Sequence, residues 1–135
     1  MTKEKAITSD QMYRIEENGH NLIGMHRVYM MENAGHGLAD FIINRFKIKL
    51  KGKEILAIGG TGNNGGDSFV ASRHLSGYYG AIVKVVLLGF PSELRTEEAK
   101  INWGIVEKMD SLETRFVNGI DDEIKKKISK ADIVM

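Results

Sequence analysis

The residues whose types and spacing suggest chemistry lie in one glycine-rich segment, residues 59–68, with the sequence GGTGNNGGDS. Gly60 to Gly65 follows the pattern G-x-G-x-x-G and lies between an apolar run and a helix-like run. Glycines permit a tight turn there and let a ligand reach backbone N–H groups at the positive end of the following helix. Phosphate or diphosphate is the ligand class that such a segment favours.

Two known phosphate-binding motifs fit this segment only in part. A P-loop requires a lysine followed by serine or threonine, whereas Gly66 is followed here by Asp67 and Ser68. The dinucleotide fingerprint requires an acid at the end of the next strand, near residues 88–90. That position holds no acid, and the next acid, Glu93, lies beyond the position that the fingerprint requires. The segment is therefore suited to phosphate without being a standard NAD-binding loop.

Three oxygen-bearing side chains, those of Asn63, Asn64 and Asp67, accompany the glycines. In one interpretation both asparagines occupy a turn with left-handed backbone, and Asp67 caps the next helix. In the other, their oxygen atoms bind a ribose or a hard cation. Because a carboxylate repels phosphate, the second interpretation directs Asp67 toward sugar hydroxyls or a cation.

Hydrophobic periodicity predicts the elements that position this segment. Thr8 and Gln11 have capping-box spacing, which predicts a helix from about Ser9 that ends at Gly24. The remaining predictions are helices over about 28–46, 67–76, 94–109 and 121–130, and strands over 54–58, 81–88, 113–117 and from 131 onward. This alternation predicts an α/β fold with a mostly parallel sheet, helices on both faces and two N-terminal helices packed against it. Because the last strand has only begun at Met135, we expect the domain to be incomplete at its C-terminus.

Composition excludes several function classes. The 135 residues suffice for one domain, and the formal net charge of +1 argues against general nucleic-acid binding. The chain has no cysteine, so it has no disulfide, thiol catalysis or cysteine-based zinc site. The lack of disulfides agrees with a location in the cytoplasm. No apolar run is long enough to span a bilayer. The four histidines show no metal-type pairing with an acid, and Trp103 is expected in the core or at a subunit contact.

The segment 59–75, GGTGNNGGDSFVASRHL, resembles the N-N-G-G-D-G loop of the YjeF N-terminal domain family. Members of that family include the NAD(P)HX epimerases. The upstream run from Met31 to Gly35, MENAG, is similar to the family's helical lead-in. Glu32 and Asn33 in this run either pack against a neighbouring helix or approach the pocket. The final KADIVM is similar to the segment that leads into the family's next strand. The resemblance covers essentially the whole chain, so residues 1–135 are identified as a domain of this type.

The resemblance implies a Rossmann-like three-layer αβα sandwich. It also implies an epimerase that interconverts the R and S forms of NADHX and NADPHX, which are the hydrates of NADH and NADPH. It implies that the substrate's phosphates and ribose contact a set of loop residues: Asn63, Asn64, Gly65, Gly66 and Asp67. It also implies a potassium ion with Asn64 among its ligands. A homodimer is compatible with the family.

Two departures from the family pattern affect these expectations. Ser68 stands where a glycine is usual. The family's catalytic aspartate follows directly after the strand that ADIVM begins, and Met135 precedes that position. No catalytic residue is therefore assigned, and Asp132 fits the acid that precedes this strand.

Two other functions are compatible with the same resemblance. One is a non-catalytic homodimerising scaffold of the decapping-enhancer type, which is associated with RNA. The other is a module that binds a nucleotide such as ADP-ribose without converting it. The intact Asn63 to Asp67 segment favours the epimerase, because a scaffold has no physical need of it.

Overall fold

The structure is a computed structural model that describes residues 6–46 and 49–135. Within these residues one sheet is formed by β1 (Glu54–Gly59), β2 (Ile82–Leu88), β3 (Leu112–Val117) and β4 (Ile133–Val134). The strand order is β3-β2-β1-β4, and every neighbouring pair is parallel. Ile55 of β1 pairs with Val83 on one side and with Ile133 on the other. The order 3-2-1-4 is that of the doubly wound α/β fold.

Helices cover both faces of this sheet, as the sequence predicts. They are α1 (Ser9–Ile23), α2 (Arg27–Phe46), α3 (Asn63–Gly77), α4 (Glu97–Val106) and α5 (Asp122–Lys130). One face packs Ile55 and Ala57 against Phe69 of α3, and the other packs Leu56 and Val86 against Ile124 of α5. This alternation of strand faces confirms the three-layer αβα sandwich.

The prediction that both N-terminal helices pack against the sheet is wrong. α3 already covers β1 and β2 on that face, so α2 packs against α3 and α4 instead. α1 packs against α2, and its apolar stripe is largely open, with Leu22 77 % exposed. Its ends agree with the prediction, because Thr8 and Gln11 form the capping box and Gly24 ends the helix at φ 70°. Periodicity identified the apolar stripe but not the surface that it faces.

Helix α4 is shorter than the predicted span 94–109, and its buried face does not coincide with its apolar residues. Ile101 is 48 % exposed, whereas the helix buries Asn102 and Trp103. The buried face contains a polar residue, Asn102, whose side-chain amide donates to the backbone oxygen of Glu98 at 2.9 Å. A buried polar residue interrupts the apolar pattern on which the prediction depended. Trp103 is 3 % exposed and lies edge-on to Phe69, so its placement in the core is confirmed.

The last strand brings Asp132 to the end of the sheet opposite the glycine-rich segment. Its carboxylate accepts hydrogen bonds from the Glu54 backbone N–H at 2.9 Å and from Lys53 Nζ at 3.0 Å. The bond from the Glu54 N–H, followed by the Lys53 ammonium, lowers the pKa of Asp132. Asp132 therefore anchors β4 to β1.

Candidate nucleotide-binding site

The glycine-rich segment joins β1 to α3 at the carboxyl edge of the sheet. The helix begins at Asn63 rather than near Asp67, with Gly62 at the N-cap position in extended backbone (φ −98°, ψ −170°). The interpretation in which both asparagines occupy a left-handed turn and Asp67 caps the helix is therefore wrong. Gly62 has no side chain to cap the helix, so the N–H groups of its first turn are left for a ligand or water. The positive end of the helix dipole lies at the same place.

Two glycines in this turn, Gly65 and Gly66, serve close packing rather than unusual backbone angles. A Cβ on Gly65 would lie 1.9 Å from the carbonyl oxygen of Gly60, and a Cβ on Gly66 would lie 2.5 Å from the Met31 side chain. None of the turn's glycines has a positive φ. The backbone N–H of Gly66 donates to Gly62 at 3.2 Å within the helix. A ligand contact by Gly66 therefore stays a prediction, whereas packing explains why a glycine stands there.

The two asparagines have different surroundings. The Asn63 side-chain oxygen accepts a hydrogen bond from the Thr96 hydroxyl at 2.8 Å, which ties the start of α3 to the start of α4. Asn64 is exposed, and its side chain lines the neighbouring cleft. Of the two amide groups, that of Asn64 is the better placed to bind a ligand.

A cleft of about 710 Å³ opens beside this turn, between α1, α2 and the first turns of α3. Asn63, Asn64 and Asp67 all line it, so the structure brings the predicted oxygen donors together. The charged residues among its described lining are Asp10, Glu16, Arg27, Asp67 and Glu98. The Arg27 guanidinium lies 5.3 Å from the centre of the Tyr13 ring. Side chains thus give the cleft an acidic character, and positive potential comes mainly from the end of α3.

Asp67 is the titratable group most altered by this cleft. Burial, followed by the nearby Glu16 carboxylate, raises the pKa of Asp67 from 3.8 to about 6. Both causes disfavour the ionised form. A carboxyl group with a pKa near 6 can exchange a proton close to neutral pH, a property common in functional sites.

Ser68, which replaces the family's usual glycine, fits within the interior of the turn. It is buried, and its hydroxyl donates to the Gly65 carbonyl at 2.7 Å. A Cβ on Gly59 would lie 2.8 Å from the Ser68 hydroxyl oxygen, so the extra atom is accommodated by the glycine opposite. The substitution therefore leaves the cleft side of the turn unchanged.

A polar network behind the site was missed by sequence analysis. The Glu32 carboxylate accepts from Arg73 and lies 2.8 Å from His74 Nε2, and Arg73 also donates to Asn102 at 3.0 Å. Burial alone would raise the pKa of Glu32, but the bonds from Arg73 and His74 hold it below its usual value. Glu32 therefore joins α2 to α3 instead of entering the cleft, and Asn33 is exposed outside the cleft lining.

Two histidines lie close to a carboxylate in the structure. His74 pairs with Glu32, and His36 Nε2 lies 3.9 Å from Asp40. Within residues 6–46 and 49–135, however, no cluster of three or more His, Asp or Glu side chains could hold a metal ion. In the same part of the chain, no helix combines the length and hydropathy needed to cross a bilayer.

A parallel sheet in the order 3-2-1-4, with a glycine turn that leads into a helix amino end beside a cleft, defines a Rossmann-type α/β domain. The family described as "YjeF-related protein N-terminus" matches residues 28–135, and the chain belongs to this family. The match includes α2 to α5 and the whole sheet, and α1 precedes it.

Two archaeal relatives carry the name NAD(P)H-hydrate epimerase. The protein from Cenarchaeum symbiosum is 51% identical over 113 residues, which cover 84% of this chain and 50% of the relative. That from Nitrosopumilus maritimus is 47% identical over 106 residues, which cover 78% and 48%. The Bifunctional NAD(P)H-hydrate repair enzyme Nnr of Pyrobaculum aerophilum is 40% identical over 82% of this chain and 21% of the relative.

The fold has a counterpart among solved structures. The crystal structure of yeast ynu0 superimposes with a TM-score of 0.70 at 28% sequence identity, over 84% of this chain and 48% of the yeast chain. The chain spans about half the length of the two epimerases it matches.

Proposed function

We propose that this chain forms the nucleotide-binding part of an NAD(P)H-hydrate epimerase, which interconverts the R and S hydrates of NADH and NADPH. The observation that carries the proposal is the start of α3. There, the uncapped N–H groups of the first helical turn open beside a cleft that Asn64 and Asp67 line. The names of the Cenarchaeum and Nitrosopumilus relatives support the same activity.

Each residue has a role in this proposal that follows from its chemistry. The backbone N–H groups of Asn63, Asn64 and Gly65 bind the diphosphate at the positive end of α3. Asp67 faces the hydroxyls of the ribose that lies in the first cleft, because a carboxylate in contact with phosphate would be repelled. Gly66 keeps α3 close to α2.

Epimerisation needs an acid–base group near the hydroxylated ring carbon, and we propose that this group follows Met135 in a longer domain. Met135 continues the pairing of β4, since its carbonyl accepts from the Ile58 N–H at 2.8 Å. β1 ends at Gly59, one residue further along. Because parallel strands end at the same edge of a sheet, a residue just after Met135 would emerge beside the glycine turn. An aspartate there would face the same cleft edge as the diphosphate.

A potassium ion belongs to the same proposal, with Asn64 as one ligand. Hard cations prefer oxygen donors, and the exposed Asn64 amide beside an acidic cleft fits that preference. The test is calorimetric titration with ADP-ribose in potassium chloride and in tetramethylammonium chloride at equal ionic strength. We expect severalfold tighter binding with potassium, and no such difference in Asn64→Ala. Equal affinities in both salts would contradict the role of the ion.

The activity itself is tested on the full natural protein, by following the conversion of R-NADHX to the S form by chromatography. We expect Asn64→Ala and Asp67→Ala to reduce kcat/KM, whereas Asn44→Ala, on an exposed site of α2, should not. Retained turnover in both site variants would refute the assignment. Location in the cytoplasm is part of the same proposal.

A further inference from the structure

A second open cleft, of about 550 Å³, lies where β2 and β3 end. Phe90 and Phe116 line it, and they are 41% and 47% exposed, with ring centres 5.8 Å apart in an edge-to-face arrangement. Partly exposed large aromatic side chains at the carboxyl edge of an α/β sheet are typical of ligand contacts. Neither ring lines the first cleft.

Glu93, which lies too far along the sequence to match the dinucleotide fingerprint, is brought back to this edge by the fold of the chain. Residues Pro91–Glu93 form a short 3-10 turn that folds back, so that a Glu93 carboxylate oxygen accepts from the Phe90 backbone N–H at 2.8 Å. The same oxygen lies 2.9 Å from the position that a Cβ on Gly89 would take. Glu93 therefore occupies the end of β2, where dinucleotide-binding folds hold a ribose-binding acid.

This edge is continuous with the glycine turn. The Cβ position of Gly89 also lies 2.7 Å from the Thr61 methyl carbon, so any side chain at Gly89 would fill the gap between Thr61 and Glu93. Gly89 has φ 118°, a conformation that favours glycine. The Arg95 backbone N–H, which donates to the Thr61 carbonyl at 3.0 Å, holds the two loops together.

We propose that this second cleft binds the adenosine half of the substrate, with the ribose hydroxyls on Glu93 and the adenine against Phe90 and Phe116. The proposal rests on the proposed function, because the diphosphate on α3 fixes where the ribose begins. Diphosphate, ribose and base would then follow the order of Thr61, Glu93 and Phe116 along the sheet edge. One Glu93 oxygen is taken by the Phe90 N–H, which leaves the second oxygen for a hydroxyl.

A carboxylate at this position also selects between the two cofactor forms. It accepts from a free ribose 2′-hydroxyl and repels a 2′-phosphate, so the site favours NADHX over NADPHX. The Arg115 guanidinium at the cleft is paired with Asp121 and Glu123 and is not free to offset that repulsion. Arg95 is an exposed cation on the adjoining loop. The test therefore asks whether Arg95 offsets the repulsion of a 2′-phosphate.

The discriminating experiment compares two probes, ADP-ribose and 2′-phospho-ADP-ribose, by calorimetric titration of the chain. We expect the wild-type chain to bind ADP-ribose at least about tenfold more tightly. Glu93→Gln keeps an acceptor for the Phe90 N–H but removes the charge, so the affinity ratio should fall to within about threefold of one. If Glu93 only held the 3-10 turn, the ratio would not change. Arg95→Gln should leave the preference intact.

The base contact is tested with Phe116→Ala and Phe116→Leu, after circular dichroism has shown that both variants are folded. Loss of stacking should weaken binding of both probes by roughly tenfold, whereas ribose 5-phosphate affinity should be unchanged. Phe41→Ala, at an exposed site on α2, is the matched control.

The outcomes separate the two proposals. If ADP-ribose binding depends on Asn64 but is unaffected by Glu93→Gln and Phe116→Leu, the adenosine cleft is refuted and the diphosphate site stands. If ADP-ribose does not bind at all, both proposals fail.

Discussion

Replacing Asp67 with asparagine should make the domain more stable at pH 8 and leave its stability nearly unchanged near pH 4. Asparagine has almost the same shape as aspartate but cannot ionise. The pKa of Asp67 is about 6 in the folded chain, above its ordinary value of 3.8, because of burial and the Glu16 carboxylate. The folded state therefore binds a proton more tightly than the unfolded state. The stability that this bound proton contributes is fully present below pH 3.8, and it is lost as the pH rises through 6.

The magnitude follows from the two pKa values. The difference between 3.8 and about 6 corresponds to about 3 kcal/mol at most, at roughly 1.4 kcal/mol per pK unit. Asp67 is partly exposed at the cleft, so solvent screening reduces this upper limit. We expect Asp67→Asn to gain about 1–2 kcal/mol in the free energy of unfolding at pH 8, and less than about 0.5 kcal/mol at pH 4.

The assay is urea denaturation of both proteins across this pH range, followed by circular dichroism. The lowered pKa values of Glu32, Asp121 and Asp132 act in the opposite direction, but they are shared by both proteins and cancel in the difference. Asp110→Asn, at an exposed position, controls for the loss of one negative charge. A gain that is the same at pH 4 and pH 8, or that Asp110→Asn reproduces, would refute the reasoning.

Two further predictions concern glycines, and thermal unfolding measures both. Gly35→Ala should destabilise the domain by about 2 kcal/mol or more, because its Cβ would lie 2.3 Å from the Val70 Cβ. Gly37→Ala in the same helix has open space and should stabilise it by up to about 1 kcal/mol, so a similar effect of the two changes would contradict the packing. Gly65→Ala should also destabilise by about 2 kcal/mol or more and abolish ADP-ribose binding, because its Cβ would meet the Gly60 carbonyl oxygen. A Gly65→Ala variant that binds normally would show that the turn can relax.

Local signals in the sequence predicted the elements well. The capping box of Thr8 and Gln11 and the αL glycine Gly24 determine the two ends of α1, and both signals depend only on neighbouring residues. The apolar runs of β1 and β2 are likewise local, and the parallel sheet follows from their alternation with helices. The prediction failed at the start of α3, because asparagines and glycines indicate a turn as readily as an uncapped first helical turn.

What the sequence could not reveal were contacts between residues far apart in the chain. Glu32 meets Arg73 across 41 positions, and its role in joining α2 to α3 has no local signature. Glu93 lies three to five residues beyond the position where an acid was expected, and the 3-10 turn returns its carboxylate to the end of β2. Counting residues along the sequence therefore placed Glu93 too far from the end of β2, whereas the folded backbone brings its carboxylate there.

The charges around the first cleft explain why backbone groups rather than side chains would bind the diphosphate. Arg27 is the one basic residue among its described lining, and it lies against Tyr13, whereas Asp10, Glu16, Asp67 and Glu98 are acidic. The amino end of α3 offers roughly half a positive charge, too little to offset these carboxylates alone. Protonation of Asp67 near pH 6 and binding of a cation at Asn64 therefore have the same electrostatic effect. Each reduces the negative charge beside the bound diphosphate, so in the proposed site lower pH and potassium act as partial substitutes for each other.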